Sequence, residues 1–128
     1  MFQKALLSTV YASLLFSFFI LSSCSSKYEL EGFDSELWKA EHSGCRSHRL
    51  ELAKVLLKHK NELIGLPSRD NLALLGRPNQ KSLGRKMNKV YIYIISPDES
   101  CSKNSSTRKK ALHVELEALG RIKLMMIK

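Results

Sequence analysis

Val90-Tyr91-Ile92-Tyr93-Ile94-Ile95 is the stretch that decides the fold. It is rich in β-branched and aromatic residues and alternates with a period of two, so it reads as a strand. Val90, Ile92 and Ile94 share one face, and Tyr91, Tyr93 and Ile95 share the other. Ser96-Pro97-Asp98 stops it. Downstream, after a polar loop over 98–110, a second strand is predicted with Leu112, Val114 and Leu116 inward and His113, Glu115 and Glu117 outward. Leu119-Gly120-Arg121 is a turn, and a third strand follows in which Ile122, Leu124 and Met126 alternate with Lys123, Met125 and Ile127. The tight connection makes these last two strands antiparallel.

Upstream the period changes to that of a helix. Leu50, Ala53 and Leu57, with Leu52, Leu56 and Leu63, recur at three, four and seven residues and predict a helix from about Ser47 to Ile64. Arg49, Lys54, Lys58, Lys60 and Glu62 fall mostly off its apolar face. Gly65 and Pro67 end it. Ser68 then caps a short helix through Leu75, closed by Gly76 and Pro78. Residues 79–89 are polar and basic and read as a loop. Before these elements, Asp34-Ser35 offers a cap for a short helical turn holding Trp38, the only tryptophan. Trp38 reads as a core or docking anchor, with an exposed binding residue as the alternative. Segregated helices and strands mean an α+β class, here two N-terminal helices packed on a three-stranded antiparallel sheet, ααβββ.

The N-terminus sets the compartment. Met1-Phe2-Gln3-Lys4 carries one positive charge, and the run from Ala5 to Leu21 carries none. As a helix that run would be about 26 Å long, short of a ~30 Å hydrocarbon core. A basic start, an apolar middle and a small-residue exit are the regions of a secretory signal. Leu21-Ser22-Ser23-Cys24 resembles the bacterial lipobox, which implies cleavage after residue 23 and lipidation of Cys24. The expected organisation is a signal peptide over 1–23, a lipidated tether over 24–33 and a single domain over 34–128. Losing Lys4 with the signal lowers the net charge from +9 to +8. An oxidising compartment favours pairing of the two remaining cysteines, Cys45 with Cys101; a metal site or a thiol nucleophile is the rival reading.

Residues 65–78, Gly-Leu-Pro-Ser-Arg-Asp-Asn-Leu-Ala-Leu-Leu-Gly-Arg-Pro, resemble the short-helix segment of small outer-membrane lipoproteins of the BamE/SmpA kind. There a glycine and a capping serine or threonine precede a helix ending in Leu-Gly-x-Pro. Leu119-Gly120-Arg121-Ile122 is similar to the late hairpin of that fold, which β-lactamase inhibitory proteins share. The order of elements agrees over about residues 45–127. The chain departs from the pattern in its longer, more basic first helix, in the cysteine of its strand-separating loop, and in residues 33–45, which have no counterpart. The resemblance implies a lipid-anchored protein of the outer membrane facing the periplasm, and an accessory role in outer-membrane protein assembly.

Catalysis is not expected. Neither a nucleophile–base pair, nor a metal-ligand spacing, nor a phosphate loop stands in the sequence, so no catalytic residue, cofactor or metal is assigned. His42, His48, His59 and His113 read as solvated, and Glu115 and Glu117 as a hydrated face. Two basic clusters remain: Arg85, Lys86 and Lys89, with Lys81, in one loop, and Arg108, Lys109 and Lys110 in another. They read either as solvated loops or as a surface for an anionic membrane. Export argues against nucleic acid. The expectation is a non-catalytic module with an envelope protein partner, binding through Trp38, through the sheet face of Tyr91 and Tyr93, and through these basic loops. An inhibitor or ligand-binding lipoprotein with a soluble partner is the alternative.

Overall fold

A computed structural model of the chain describes residue 3, residues 28–96, residue 101 and residues 110–128. The predicted signal apart from residue 3, together with Cys24, Arg108 and Lys109, lies outside the described residues. The described part is α+β: four helices, α1 (Ser35–Ala40), α2 (His48–Lys58), α3 (Lys60–Leu63) and α4 (Ser68–Leu75), precede four strands. The strands are β1 (Gln80–Leu83), β2 (Lys89–Ile94), β3 (Ala111–Leu116) and β4 (Ile122–Ile127), and they form one antiparallel sheet in chain order.

Four features differ from the expected ααβββ. β1 occupies what reads as a basic loop. Its sequence, Gln-Lys-Ser-Leu, lies at the sheet edge and is largely exposed, so no alternation of apolar residues marks it. The turn holding Trp38 is a full helix, α1: Asp34 Oδ1 accepts from the Leu37 amide at 2.9 Å. The long helix is broken at His59, whose backbone leaves the helical region (φ −96°, ψ 13°) between α2 and α3. Finally, Ser68 is the first residue of α4 and not its side-chain cap; its amide donates instead to Gly120 O at 2.7 Å.

β4 also departs from simple alternation. A bulge shifts the pairing from Glu115↔Leu124 to Leu116↔Ile122, so Lys123 is left without a partner on β3. Ile122 and Met125 are therefore buried against the helices, while Leu124 is exposed. The expected inward residues of β3, Leu112, Val114 and Leu116, are all buried.

The core lies between the helices and one face of the sheet. Leu56, Leu63 and Leu75 meet Tyr93, Ile95, Leu112 and Val114 there. Burying a side chain of this size contributes about 1.5–3 kcal/mol. Trp38 is 0% exposed and sits between Phe33 and Tyr93, with ring centroids 5.7 and 6.0 Å away. α1 also closes the end of α4: Ser35 Oγ donates to Leu74 O at 2.6 Å and Trp38 Nε1 to Leu75 O at 3.1 Å. Two carbonyls that the helix itself leaves unpaired are satisfied in this way.

The C-terminal end of β2 is a second junction. Gly44, at φ +70°, lies against Ile94; a Cβ there would come within 2.8 Å of Ile94 Cγ2 and 3.0 Å of its carbonyl oxygen, so only glycine fits. The structure joins Cys45 to Cys101 in a disulfide next to it, as expected, with Cα atoms 5.5 Å apart.

Candidate functional site

Three residues expected at a binding surface are inside. Trp38 and Tyr93 are fully buried, and Tyr91 is buried on the same, helix-covered face of the sheet. The apolar bodies of these rings outweigh their polar tips, and each tip of the two deepest finds a partner within the fold. Tyr93 Oη accepts from Asn71 Nδ2 and donates to Gly76 O, both at 3.1 Å. Burial, more than any neighbouring charge, drives its hydroxyl pKa well above the ordinary range. These side chains organise the core, so the aromatic docking surface is withdrawn.

Arg49 is a further correction. Expected off the apolar face, it is 1% exposed. Its Nε donates to Trp38 O at 2.9 Å, and its Nη1 to Asn79 Oδ1 and Ile94 O at 3.0 Å and to His42 O at 3.3 Å. The guanidinium carbon stands 4.7 Å from the Trp38 ring centroid. Asn79 Oδ1 also accepts from the Ile94 amide at 2.9 Å, where β1 has not yet begun and the ladder would otherwise lack a partner. Desolvation lowers the Arg49 pKa to about 10, against an upward pull from Glu41. The buried Glu41 caps α2 from outside that helix, its Oε2 accepting from the Arg49 amide at 3.2 Å. This is a structural clasp, and its members have little exposed surface to offer a ligand.

The basic residues of the expected loop are displayed differently. Arg85 and Lys86 form the tip of the β1–β2 hairpin, with Lys81 on β1 and Lys89 at the start of β2. All four are exposed, and no carboxylate pairs with any of them among the described residues. Lys39, Lys54, Arg69 and Lys123 each lie within 4 Å of an acidic side chain, whereas Lys58, Lys60 and Arg77 share the lack of one; the hairpin is set apart by gathering four such cations around one turn. Beside these cations stand two large apolar side chains, Leu83 at 61% and Met87 at 74% exposure. Lys86 (φ 58°) and Met87 (φ 63°) both take left-handed backbone conformations, which cost a non-glycine residue about 1–2 kcal/mol each. Strain kept at an exposed tip is a reason to look for function there. Lys110 is exposed at the opposite end of the sheet, before β3, so the structure does not bring it to this hairpin.

The hairpin has a recess on each face. On the helix-free side a cleft of about 620 Å³ runs over Val90, His113, Glu115, Leu124 and Met126, with Arg85 and Lys86 at its rim. Glu115 is engaged there: Asn88 Nδ2 donates to its Oε1 at 2.8 Å, and Lys123 Nζ lies 3.7 Å away. Burial, and secondarily the Lys128 charge, lower the His113 pKa below its ordinary 6.5. On the other side Lys81, Leu83, Lys89 and Tyr91 line a recess of about 450 Å³. Lys81 Nζ stands 5.5 Å from the Tyr91 ring centroid. Sequence reading finds Arg85, Lys86 and Lys89 as a cluster but misses Leu83 and Met87; two large apolar residues interspersed in a basic stretch were the available signal.

Among the described residues there is no group of three or more His, Cys, Asp or Glu placed to hold a metal ion, and no helix long and apolar enough to cross a membrane. Comparison with protein-family models, with curated proteins and with solved structures finds no match.

Proposed function

We propose that the protein is a non-catalytic interaction module, tethered to the bacterial envelope by lipid on Cys24, that serves as an accessory in outer-membrane protein assembly and meets its partner through the β1–β2 hairpin. One observation carries the docking part: Lys81, Arg85, Lys86 and Lys89 have no acidic partner among the described residues and surround the exposed Leu83 and Met87. A surface of this composition suits a partner that supplies carboxylates and an apolar contact together. The lipobox-like Leu21-Ser22-Ser23-Cys24 supports the tether. Two or more acyl chains hold a protein stably at a bilayer, which frees the folded part to bind something else.

The test is co-purification of the tagged full-length protein from gently solubilised native membranes, with partners identified by mass spectrometry. The expected result is recovery of β-barrel assembly components in fixed ratio. Recovery of the protein alone would overturn the reading, and recovery of a soluble partner would replace the assembly role with that of a tethered inhibitor. Mass analysis of the mature N-terminus checks the anchor: a diacylglyceryl cysteine at residue 24 is expected, and an unmodified or uncleaved N-terminus would remove the tether.

A further inference from the structure

β1 is an edge strand, as is β4, and the two edges differ at their ends: β4 is covered at Ile122, whereas none of β1 is covered by a described segment. At the β4 edge, the Gly65 amide donates to Ile122 O at 2.7 Å and the Ile122 amide to Leu66 O at 2.8 Å, so the start of that strand is closed by the α3–α4 connection. At the β1 edge no described strand lies beyond Gln80–Leu83. The phase of the ladder tells which groups are left there. The Gly84 amide donates to Asn88 O at 2.7 Å, so residue 84 points its amide at β2. Hydrogen-bonded and non-hydrogen-bonded pairs alternate along an antiparallel ladder. Ser82 and Gln80 therefore bond to β2 through Val90 and Ile92, whereas Lys81 and Leu83, opposite Tyr91 and Lys89, turn their N–H and C=O groups outward.

The side chains of the same two residues complete a receptor. Lys81 and Leu83 rise on one face with Lys89 and Tyr91 and line a shallow, open recess of about 450 Å³. Its cations carry no carboxylate partner among the described residues. Charge on an edge strand usually repels unwanted strands. Here it also selects, because a segment bearing acidic residues would be drawn in and a basic one kept out.

We propose that β1 accepts an extended acidic segment of a partner protein as a fifth strand. The incoming backbone pairs with the outward groups of Lys81 and Leu83; a carboxylate opposite Lys81 meets its ammonium in the row that Lys81 shares with Tyr91, and an apolar side chain two residues on lies against Leu83 in the row that Leu83 shares with Lys89. This is strand addition, in which main-chain bonds supply affinity and alternate side-chain pockets supply specificity. A second copy of the chain fits poorly, since it would set the Lys81 and Lys89 cations against those of its own β1 hairpin. This inference rests on the docking reading of the hairpin and specifies its chemistry.

The experiment is residue-resolved amide hydrogen exchange on the full-length protein in mild detergent, with and without a synthetic peptide of alternating valine and glutamate. The Lys81 and Leu83 amides are expected to slow about tenfold or more on peptide addition, while Ser82, already paired, changes little. Leu83→Pro should abolish the protection, because it removes an outward donor and blocks the incoming strand without touching the β1–β2 ladder. Leu83→Thr, which keeps the amide, should retain it. Three results would each overturn the proposal: no protection at Lys81 and Leu83, equal protection from a valine–lysine peptide, or the same protection from phosphatidylglycerol vesicles without peptide. Loss of the strand proposal alone, with co-purification intact, would leave docking to the cleft on the other face of the hairpin.

Discussion

At the C-terminal end of β2 the Arg49 guanidinium is enclosed, with three backbone carbonyls and the Asn79 side chain accepting from it. At the N-terminal end of the same strand Arg85, Lys86 and Lys89 stand in solvent with no acidic neighbour among the described residues. One region uses a positive charge to tie α1, α2 and the sheet together; the other displays positive charge around apolar side chains. Residue type alone does not separate the two roles. The separation comes from whether the donors are satisfied within the fold, since a buried unpaired donor is costly and an exposed one is free to recruit a partner. If this contrast is right, changes at the two ends should affect different properties.

The largest effect is expected at the enclosed end. Arg49→Met keeps much of the apolar stem but removes the donor to the carbonyls of Trp38 and Ile94 and one of the two donors to His42 O, and takes a positive charge away from the neighbourhood of the buried Glu41. Breaking such a buried polar group by removing one partner costs about 3–5 kcal/mol. Chemical denaturation should show a loss of this order; a loss under about 1 kcal/mol would show that the clasp is dispensable. Next comes the Cys45–Cys101 bridge, which spans 56 residues of sequence beside the same junction. By chain-entropy reasoning, replacing both cysteines with serine should cost up to about 4 kcal/mol. Unchanged denaturation midpoints under reducing and non-reducing conditions would remove the bridge from the stability of this end.

These two predictions also mark where sequence reading stops. The alternation in Val90–Ile95 and in Leu112, Val114 and Leu116 is carried by residues buried on one face, so the strands were legible. β1 was not, because an edge strand exposed on both sides needs no apolar period. The β4 register failed at Lys123, where a bulge adds one residue and shifts the inward position from 124 to 125. Polarity is a poor guide at Arg49 because carbonyls from two separate stretches, Trp38–His42 and the end of β2 at Ile94, converge on this one side chain. The cation cluster was legible as composition, but its strained tip depends on φ angles that neither Lys86 nor Met87 announces. Trp38 reads from sequence as a core or docking anchor, and its burial settles on the core; Tyr93 reads as part of a docking face because aromatic residues serve cores and interfaces alike.

A smaller, pH-dependent effect should come from the helix-free face. His113 has a folded pKa lowered below 6.5 by burial and by Lys128, so just below pH 6.5 the unfolded chain takes up more protons than the fold at this position. Its contribution to stability is present above the unfolded value and is lost as pH falls through the lowered folded value. Stability measured from pH 7.5 downward should therefore decline more steeply in the wild type than in His113→Gln. Parallel curves for the two proteins would show that His113 does not sense the cleft.

The hairpin changes should move stability least and binding most. Replacing Arg85, Lys86 and Lys89 together with glutamine is expected to shift unfolding free energy by no more than about 0.5 kcal/mol, as for surface residues without special roles. The same variant should lose its partners in co-purification, and retention of partners at wild-type ratio would place docking elsewhere. Lys86→Gly tests the strain. Relief of one left-handed conformation, about 1–2 kcal/mol, is offset by roughly 0.5–1 kcal/mol of glycine entropy, so a net gain of about 0.5 kcal/mol is expected. A tip selected only for stability would already have glycine at this position. If the left-handed pair at Lys86 and Met87 instead serves to hold Met87 outward, the glycine variant should be slightly more stable and yet recover less partner, because the displayed side chain is no longer fixed. A stability gain with full partner recovery would reduce the strained tip to an accident of the turn.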